Sequence, residues 1–149
     1  MRRTIRAQRP PLLDQGLPLA LQGLVEEMQD LAGPLPTISW RSNVTGPMEL
    51  SDDKATALYR IAQEALANVL KHADAQNVIV TLDAGPDGTI RLCVDDDGAG
   101  MPAPARGTWA GEHHYGLAGM QERASMIDAD LQITSAPAEG TSVAVEVTL

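Results

Sequence analysis

Residues 58–73 read LYRIAQEALANVLKHA and residues 77–100 read NVIVTLDAGPDGTIRLCVDDDGAG. The change of hydrophobic period between these two stretches decides the fold class. In the first, Leu58, Ala62, Ala65, Leu66 and Val69 recur at three- and four-residue steps with no Gly or Pro, which predicts one long helix from about Asp53 to Lys71. Ser51 or Asp52 stands before it as an N-cap. In the second, the β-rich runs Asn77–Asp83 and Thr89–Asp95 flank Ala84-Gly85-Pro86-Asp87-Gly88, a hairpin signal.

Outward from this centre the same two periods continue. Leu17, Leu21, Leu24, Met28 and Leu31 predict an amphipathic helix that Gly33-Pro34 stops. Thr37–Ser42 (TISWRS) is a short strand. After Asp97 the chain loses all period through residues 98–115, a long Gly- and Pro-rich loop of the kind that is usually functional. Gly116–Asp128 reads as a helix that starts in glycine. Asp130–Ser135 and Thr141–Leu149 read as strands, and Val143, Val145 and Val147 alternate with Ala144, Glu146 and Thr148 as a sheet with one covered face requires. Such an order of elements predicts an α/β two-layer sandwich: a mixed, mostly antiparallel sheet with three helices on one face. Residues 1–14, basic and carrying Pro10 and Pro11, read as the end of a preceding region, and residues 15–149 as one domain.

Composition narrows the function. The 149 residues carry 11 Lys and Arg against 20 Asp and Glu, a formal charge of −9. Arg2, Arg3, Arg6 and Arg9 all precede residue 11, so the rest of the chain is more acidic still, which excludes a general nucleic-acid binder. Cys93, the single cysteine, excludes an internal disulfide and a Cys-based zinc site, and reads as a small buried residue in a strand. No apolar run approaches the ~20 residues of a membrane span, and MRRTIRAQRPPLL lacks the apolar centre of a signal peptide. The expectation is a cytoplasmic domain without direct membrane contact. With aromatics at 3% and no Phe, the core must be aliphatic, and Trp40 reads as packing.

Four features hold chemistry, each with an ordinary alternative. At ~100° per residue, Asn68 and His72 lie about 40° and 80° from Glu64 and Lys71 about −20°, so an acid, an amide, an imidazole and an ammonium share one stripe beside the apolar face. That stripe is also what a solvated helix face looks like. Asp95-Asp96-Asp97-Gly98-Ala99-Gly100 ends a β-run with three acids, which must hydrogen-bond or face water, followed by glycines that let a ligand approach the backbone. An acidic turn gives the same string, although an EF-hand loop has a different Asp spacing and a closing Glu. Tyr115-Gly116-Leu117-Ala118-Gly119-Met120 opens a helix whose free amides favour an anion, or it is a glycine hinge. It is neither a Walker motif nor a dinucleotide fingerprint. Gly140-Thr141 enters the last strand and by itself is a turn.

Together, E-x-x-x-N-x-x-K-H, V-x-D-D-G-x-G, G-L-x-G-M and G-T resemble the N, G1, G2 and closing boxes of the catalytic ATP-binding domain of sensor histidine kinases, in the superfamily shared with gyrase B, the Hsp90 chaperones and MutL. LYRIAQEALANVLKHA, and the entry Arg9-Pro10-Pro11-Leu12-Leu13-Asp14, resemble kinases coupled to NarL/LuxR-type response regulators. The resemblance implies a Bergerat-type fold that binds Mg·ATP. It implies that Asp96 accepts a hydrogen bond from the adenine amine, with Thr141 near the same edge. Gly98 and Gly100 would let the base lie against the strand end. Asn68 is implied as the Mg²⁺ ligand, and Glu64 as the acid that orients a Mg-bound water near the transferred phosphoryl. Lys71 and His72 are implied at phosphate oxygens, and Gly116, Leu117 and Gly119 at the helix start that meets the phosphates, with residues 101–115 as lid. The implied partners are a helical phosphoacceptor and dimerisation domain and, through it, a response regulator. None of His72, His113 and His114 sits in the helix pattern of an acceptor, so the expectation is a catalytic domain apart from its acceptor. His114 replaces a glycine often found two places before Gly116, and Asp97 stands where many kinases have Asn. The alternatives are an ATPase of the same superfamily, or a nucleotide-sensing module without kinase activity.

Overall fold

A computed structural model describes residues 13, 15–44, 48–99 and 117–148, with His72 and Ala73 described by backbone alone. Helix α1 spans Leu17–Ala32, strand β1 Thr37–Ser42 and helix α2 Asp52–Asn68, which passes directly into a π-helical turn over Val69–Ala73. Strands β2 (Asn77–Ala84) and β3 (Thr89–Asp96) form the hairpin. Helix α3 (Leu117–Met126) and strands β4 (Asp130–Ser135) and β5 (Thr141–Thr148) complete the chain.

Local chemistry sets the element ends. The Ser51 hydroxyl accepts the Lys54 amide at 3.2 Å, and Asp52 and Asp53 lie in the first turn, where the helix dipole favours acids. Helix α1 begins after Gly16 at φ 107° and is capped by Gly33 at φ 80°. The Gln29 side chain then ties the end of α1 to β1, accepting the Ile38 amide at 2.7 Å and donating to the Pro36 carbonyl at 2.9 Å.

The five strands are ordered β1-β2-β3-β5-β4, and only β1 and β2 are parallel. The expected sandwich is therefore observed, with its mixed and mostly antiparallel sheet. Register turns the alternation into rows. One row on the helix side runs Trp40, Val80, Val94, Val143 and Ile133, and the next Ser42, Leu82, Leu92, Val145 and Leu131. These meet Leu21 and Leu24 of α1, Leu58, Ile61 and Leu66 of α2, and Met120 of α3 in one aliphatic core. Trp40 packs at its margin, as its reading required.

Three expectations need correction. The long helix is α-helical only to Asn68, because Val69–Ala73 adopts the wider π form. Helix α3 ends at Met126, and Asp128 turns out of it at φ 55°. Cys93 is half-buried rather than buried, since it shares register with Thr81 and Ala144 on the sheet face away from the helices. There the Arg91 Nε–H donates to its sulfur at 3.3 Å. No helix among the described residues is long and apolar enough to cross a membrane.

Candidate functional site

Chain order brings several element ends to one end of the sheet. Only three residues separate the π turn from strand β2, so the C-terminal end of α2 lies beside the start of β2. Antiparallel pairing sets that start against the end of β3, through Val78 and Asp96. The end of β3 faces the start of β5 through Asp96 and Thr141, and Ser135 at the end of β4 faces Thr141 from the other side. Helix α3 precedes β4 and must run back along it, which carries Leu117 and Gly119 toward this same end.

One cross-strand row closes the helix side of the sheet here: Ile38, Val78, Asp96, Thr141 and Ser135. The rows behind it on the central strands are wholly aliphatic; this one turns polar at its third position. The polar side chains thus sit at the lip of the core, where a ligand meets apolar wall and hydrogen-bonding groups together.

Asp96 is the centre of the row. Burial pushes its carboxyl pKa above the ordinary value, the backbone amides of Gly98 and Thr141 pull it down, and the charges of Asp97 and Asp95 add to the rise. The Gly98 amide donates to Asp96 Oδ1 at 2.8 Å, and Gly98 is itself buried. An acceptor-only carboxylate set at the edge of the core is completed by a donor, such as an exocyclic amine.

The frame around Asp96 is closely hydrogen-bonded. Asp97 Oδ1 accepts the amides of Gln76 and Asn77, both at 2.9 Å, and its Oδ2 accepts the Asn77 side-chain amide at 3.0 Å. Those donors hold the Asp97 carboxyl below its usual pKa and clamp the end of β3 to the start of β2. The Ala138 amide reaches the Ala99 carbonyl. Gly140, at φ 78°, packs so closely that an added Cβ would overlap the Asp96 carbonyl oxygen and lie 3.0 Å from its carbonyl carbon.

On α2, Glu64 and Asn68 are one turn apart and half-buried. Lys71, exposed, follows in the π turn. A π turn advances each residue by less than the 100° of an α-helix, so the stripe placed by α-helical projection is valid for Glu64 and Asn68 and not for Lys71. The His72 side chain lies outside the described residues, as do Gly100, Gly116 and the proposed lid over 101–115, with His113 and His114. Leu117 is 3% exposed and its side chain belongs to the core, which leaves its backbone for any anion. An added Cβ at Gly119 meets nothing within 4 Å among the described residues.

The structure thus brings Asp96, Gly98 and Thr141 into direct neighbourhood and sets the Glu64–Asn68 end of α2 at the same end of the sheet. Asp97 and Gly140 stood within the sequence motifs without their roles as clamp and close contact, and one contributor was not singled out at all: Ser135, whose Oγ lies 2.9 Å from Thr141 Oγ1. For Ser135 a signal existed, since it shares parity with Leu131 and Ile133 and a polar residue on a covered face needs partners.

Known proteins share this chain's sequence pattern and its fold. Residues 53–149 match the family model described as histidine kinase-, DNA gyrase B-, and HSP90-like ATPase. The chain is 34% identical over 148 residues to the signal transduction histidine-protein kinase/phosphatase UhpB of Salmonella typhimurium, covering 97% of this chain and 27% of that protein. It is 32% identical over 145 residues to the nitrate/nitrite sensor protein NarX of Escherichia coli, covering 97% and 23%. The chain therefore spans about a quarter of the length of these relatives. Among solved structures, the histidine kinase domain of a blue-light activated histidine kinase from Erythrobacter litoralis superposes with a TM-score of 0.72 at 22% identity, over 89% of this chain and 61% of that one. Full-length ShkA in complex with AMPPNP superposes at 0.66 and 21% identity, over 85% and 29%. Both likenesses concern the fold.

Proposed function

From the premise that this chain belongs to the histidine kinase-, DNA gyrase B-, and HSP90-like ATPase family, we propose that it binds Mg·ATP and is the catalytic domain of a two-component sensor histidine kinase. The observation that carries the reading is Asp96, a carboxylate lifted in pKa by burial at the lip of the core, beside Thr141 and at the sheet end where α2 delivers Glu64 and Asn68.

In this reading Asp96 takes the adenine 6-amino group, and its acceptor-only character turns away a base with a carbonyl at that place. Asn68 would offer Mg²⁺ a neutral carbonyl oxygen. The cation, when bound, offsets charge on the phosphate oxygens. Glu64, one turn from Asn68, would orient a water beside the transferred phosphoryl. Lys71 and His72 are assigned to phosphate oxygens as donors, and the amides at the start of α3, with Gly116, Leu117 and Gly119, to the phosphate chain. Gly100 continues the approach begun at Gly98.

The γ-phosphoryl then passes to a histidine on a separate helical domain: the bond from γ-phosphorus to the bridging oxygen breaks with ADP leaving, a phosphorus–nitrogen bond forms, and the imidazole proton goes to a base beside the acceptor. A response regulator receives the phosphoryl from that domain. This chain contributes positioning and charge, which is most of what phosphoryl transfer requires.

Calorimetry with ATP, ADP and GTP, with and without Mg²⁺, tests the binding half. Adenine-selective, Mg²⁺-strengthened triphosphate binding is expected, and equal affinity for GTP overturns the role of Asp96. For the transfer half, γ-labelled ATP is mixed with this chain, alone and with the parent's helical domain. Acid-labile label is expected on the helical domain alone, appearing slowly because no tether raises its effective concentration. Acid-labile label on this chain, lost in His113→Ala or His114→Ala, overturns the assignment.

A further inference from the structure

Ser135 is the one buried polar side chain among the described residues, 4% exposed. It ends the row that holds Asp96 and Thr141, with Thr141 between it and the carboxylate. Its hydroxyl meets the Gly140 carbonyl oxygen at 3.2 Å and Thr141 Oγ1 at 2.9 Å.

Those partners decide the direction of each hydrogen bond. A carbonyl oxygen can only accept, so the Ser135–Gly140 bond uses the single Ser135 proton. The Ser135–Thr141 bond is then made by the Thr141 proton, which points away from Asp96 and into the wall. What Thr141 has left for a ligand is lone pairs. Asp96 likewise offers a ligand only acceptors.

We infer that Ser135 is a specificity-determining positioning residue: by holding the Gly140 carbonyl with its own proton and taking the proton of Thr141, it makes the Asp96–Thr141 edge of the base site an acceptor-only edge. The inference rests on the nucleotide reading above and deepens it. A hydroxyl free to rotate can serve an amine or a carbonyl equally; a hydroxyl whose proton is already committed serves donors only. Ser135 therefore adds to the preference for a 6-amino over a 6-keto purine without touching the base.

The test compares ATP with inosine triphosphate, which differ at this position of the ring, on the full 149-residue chain. Titrations of wild type, Ser135→Ala, Thr141→Val and the double variant give four ATP-to-inosine-triphosphate affinity ratios. In Ser135→Ala the Thr141 proton is released to meet a 6-keto oxygen, and the ratio is expected to fall about 3- to 10-fold, the size of one neutral hydrogen bond. In the Thr141→Val background the Ser135 substitution is expected to leave the ratio unchanged, because Ser135 acts only through Thr141. A loss of packing would instead weaken both nucleotides alike in either background. An unchanged ratio in Ser135→Ala overturns the inference while leaving the ATP reading intact, and so does a Ser135 effect that survives in Thr141→Val. Wild-type chain that binds neither nucleotide overturns the nucleotide reading itself. If Ser135→Ala melts below the assay temperature, Ser135→Cys, near in volume and a weak donor, carries the same comparison.

Discussion

Replacing Gly140 with alanine perturbs the proposed base site from behind, through the backbone of Asp96 and Asp97. Two costs are separable in the structure. Gly140 has φ 78°, where an L side chain is strained, and the added Cβ would overlap the Asp96 carbonyl oxygen and stand 3.0 Å from its carbon and 3.1 Å from Asp97 Cα. Carbon atoms rest about 3.5–4.0 Å apart, so the end of β3 must yield. Gly88 supplies the control, since its φ is 85° and its added Cβ meets nothing within 4 Å. Gly88→Ala should show the conformational cost alone, about 1–2 kcal/mol. Gly140→Ala should add an overpacking cost of about 1–3 kcal/mol, or a melting temperature roughly 2–12 °C below that of the control. The two also differ in kind: only Gly140→Ala moves Asp96, so only it should weaken ATP binding. Thermal melts and ATP titrations of both variants decide it. If Gly140→Ala melts with Gly88→Ala and binds ATP like wild type, the close approach to β3 is not what the glycine serves.

Asp96→Asn should weaken ATP binding by roughly ten- to a hundredfold, the loss of a hydrogen bond to a charged acceptor, and should raise the melting temperature of the nucleotide-free chain at neutral pH. The sign follows from linkage: a carboxyl whose pKa is raised on folding contributes stability below its unfolded pKa that is lost as pH rises through the folded one. The melting difference should therefore vanish toward pH 3, and a neutral-pH variant less stable than wild type would contradict it. Asn68→Ala should reduce the Mg²⁺ dependence of triphosphate binding by more than it reduces ADP affinity without Mg²⁺; titrations at several Mg²⁺ concentrations check this, and a wild-type Mg²⁺ response removes Asn68 as ligand. Gly119→Ala should stabilise the nucleotide-free chain by about 0.5–1 kcal/mol, since nothing described opposes a Cβ in that helix, and should lower ATP affinity by crowding the start of α3; tighter or unchanged binding would mean the phosphates lie elsewhere.

Much of this protein is determined by near neighbours in its sequence. Leu17–Ala32 and Asp52–Asn68 are helices because apolar residues recur at helical steps without Gly or Pro, and Ser51 caps the second through its own third neighbour. Thr37–Ser42 and Asp130–Ser135 fall where β-rich runs were bounded by turn residues. The residues of the site were legible as motifs for the same reason, since each motif is a few consecutive positions. What consecutive positions do not contain is pairing. The order β1-β2-β3-β5-β4 is what sets Asp96 against Thr141 and Thr141 against Ser135, and it follows from which apolar rows bury one another. That pairing gives Asp96 its burial, sets Ser135 beside Thr141 and brings Gly140 against β3. It also assigns Asp97 to clamping Gln76 and Asn77, although the two carboxylates are adjacent and read alike. The π turn after Asn68 likewise escaped a 3.6-residue period, because the wider hydrogen-bonding pattern changes the direction of Lys71 without changing the residues that form it. The sequence names the groups that would meet a nucleotide; the folded sheet decides which of them share an edge, and in which direction their protons point.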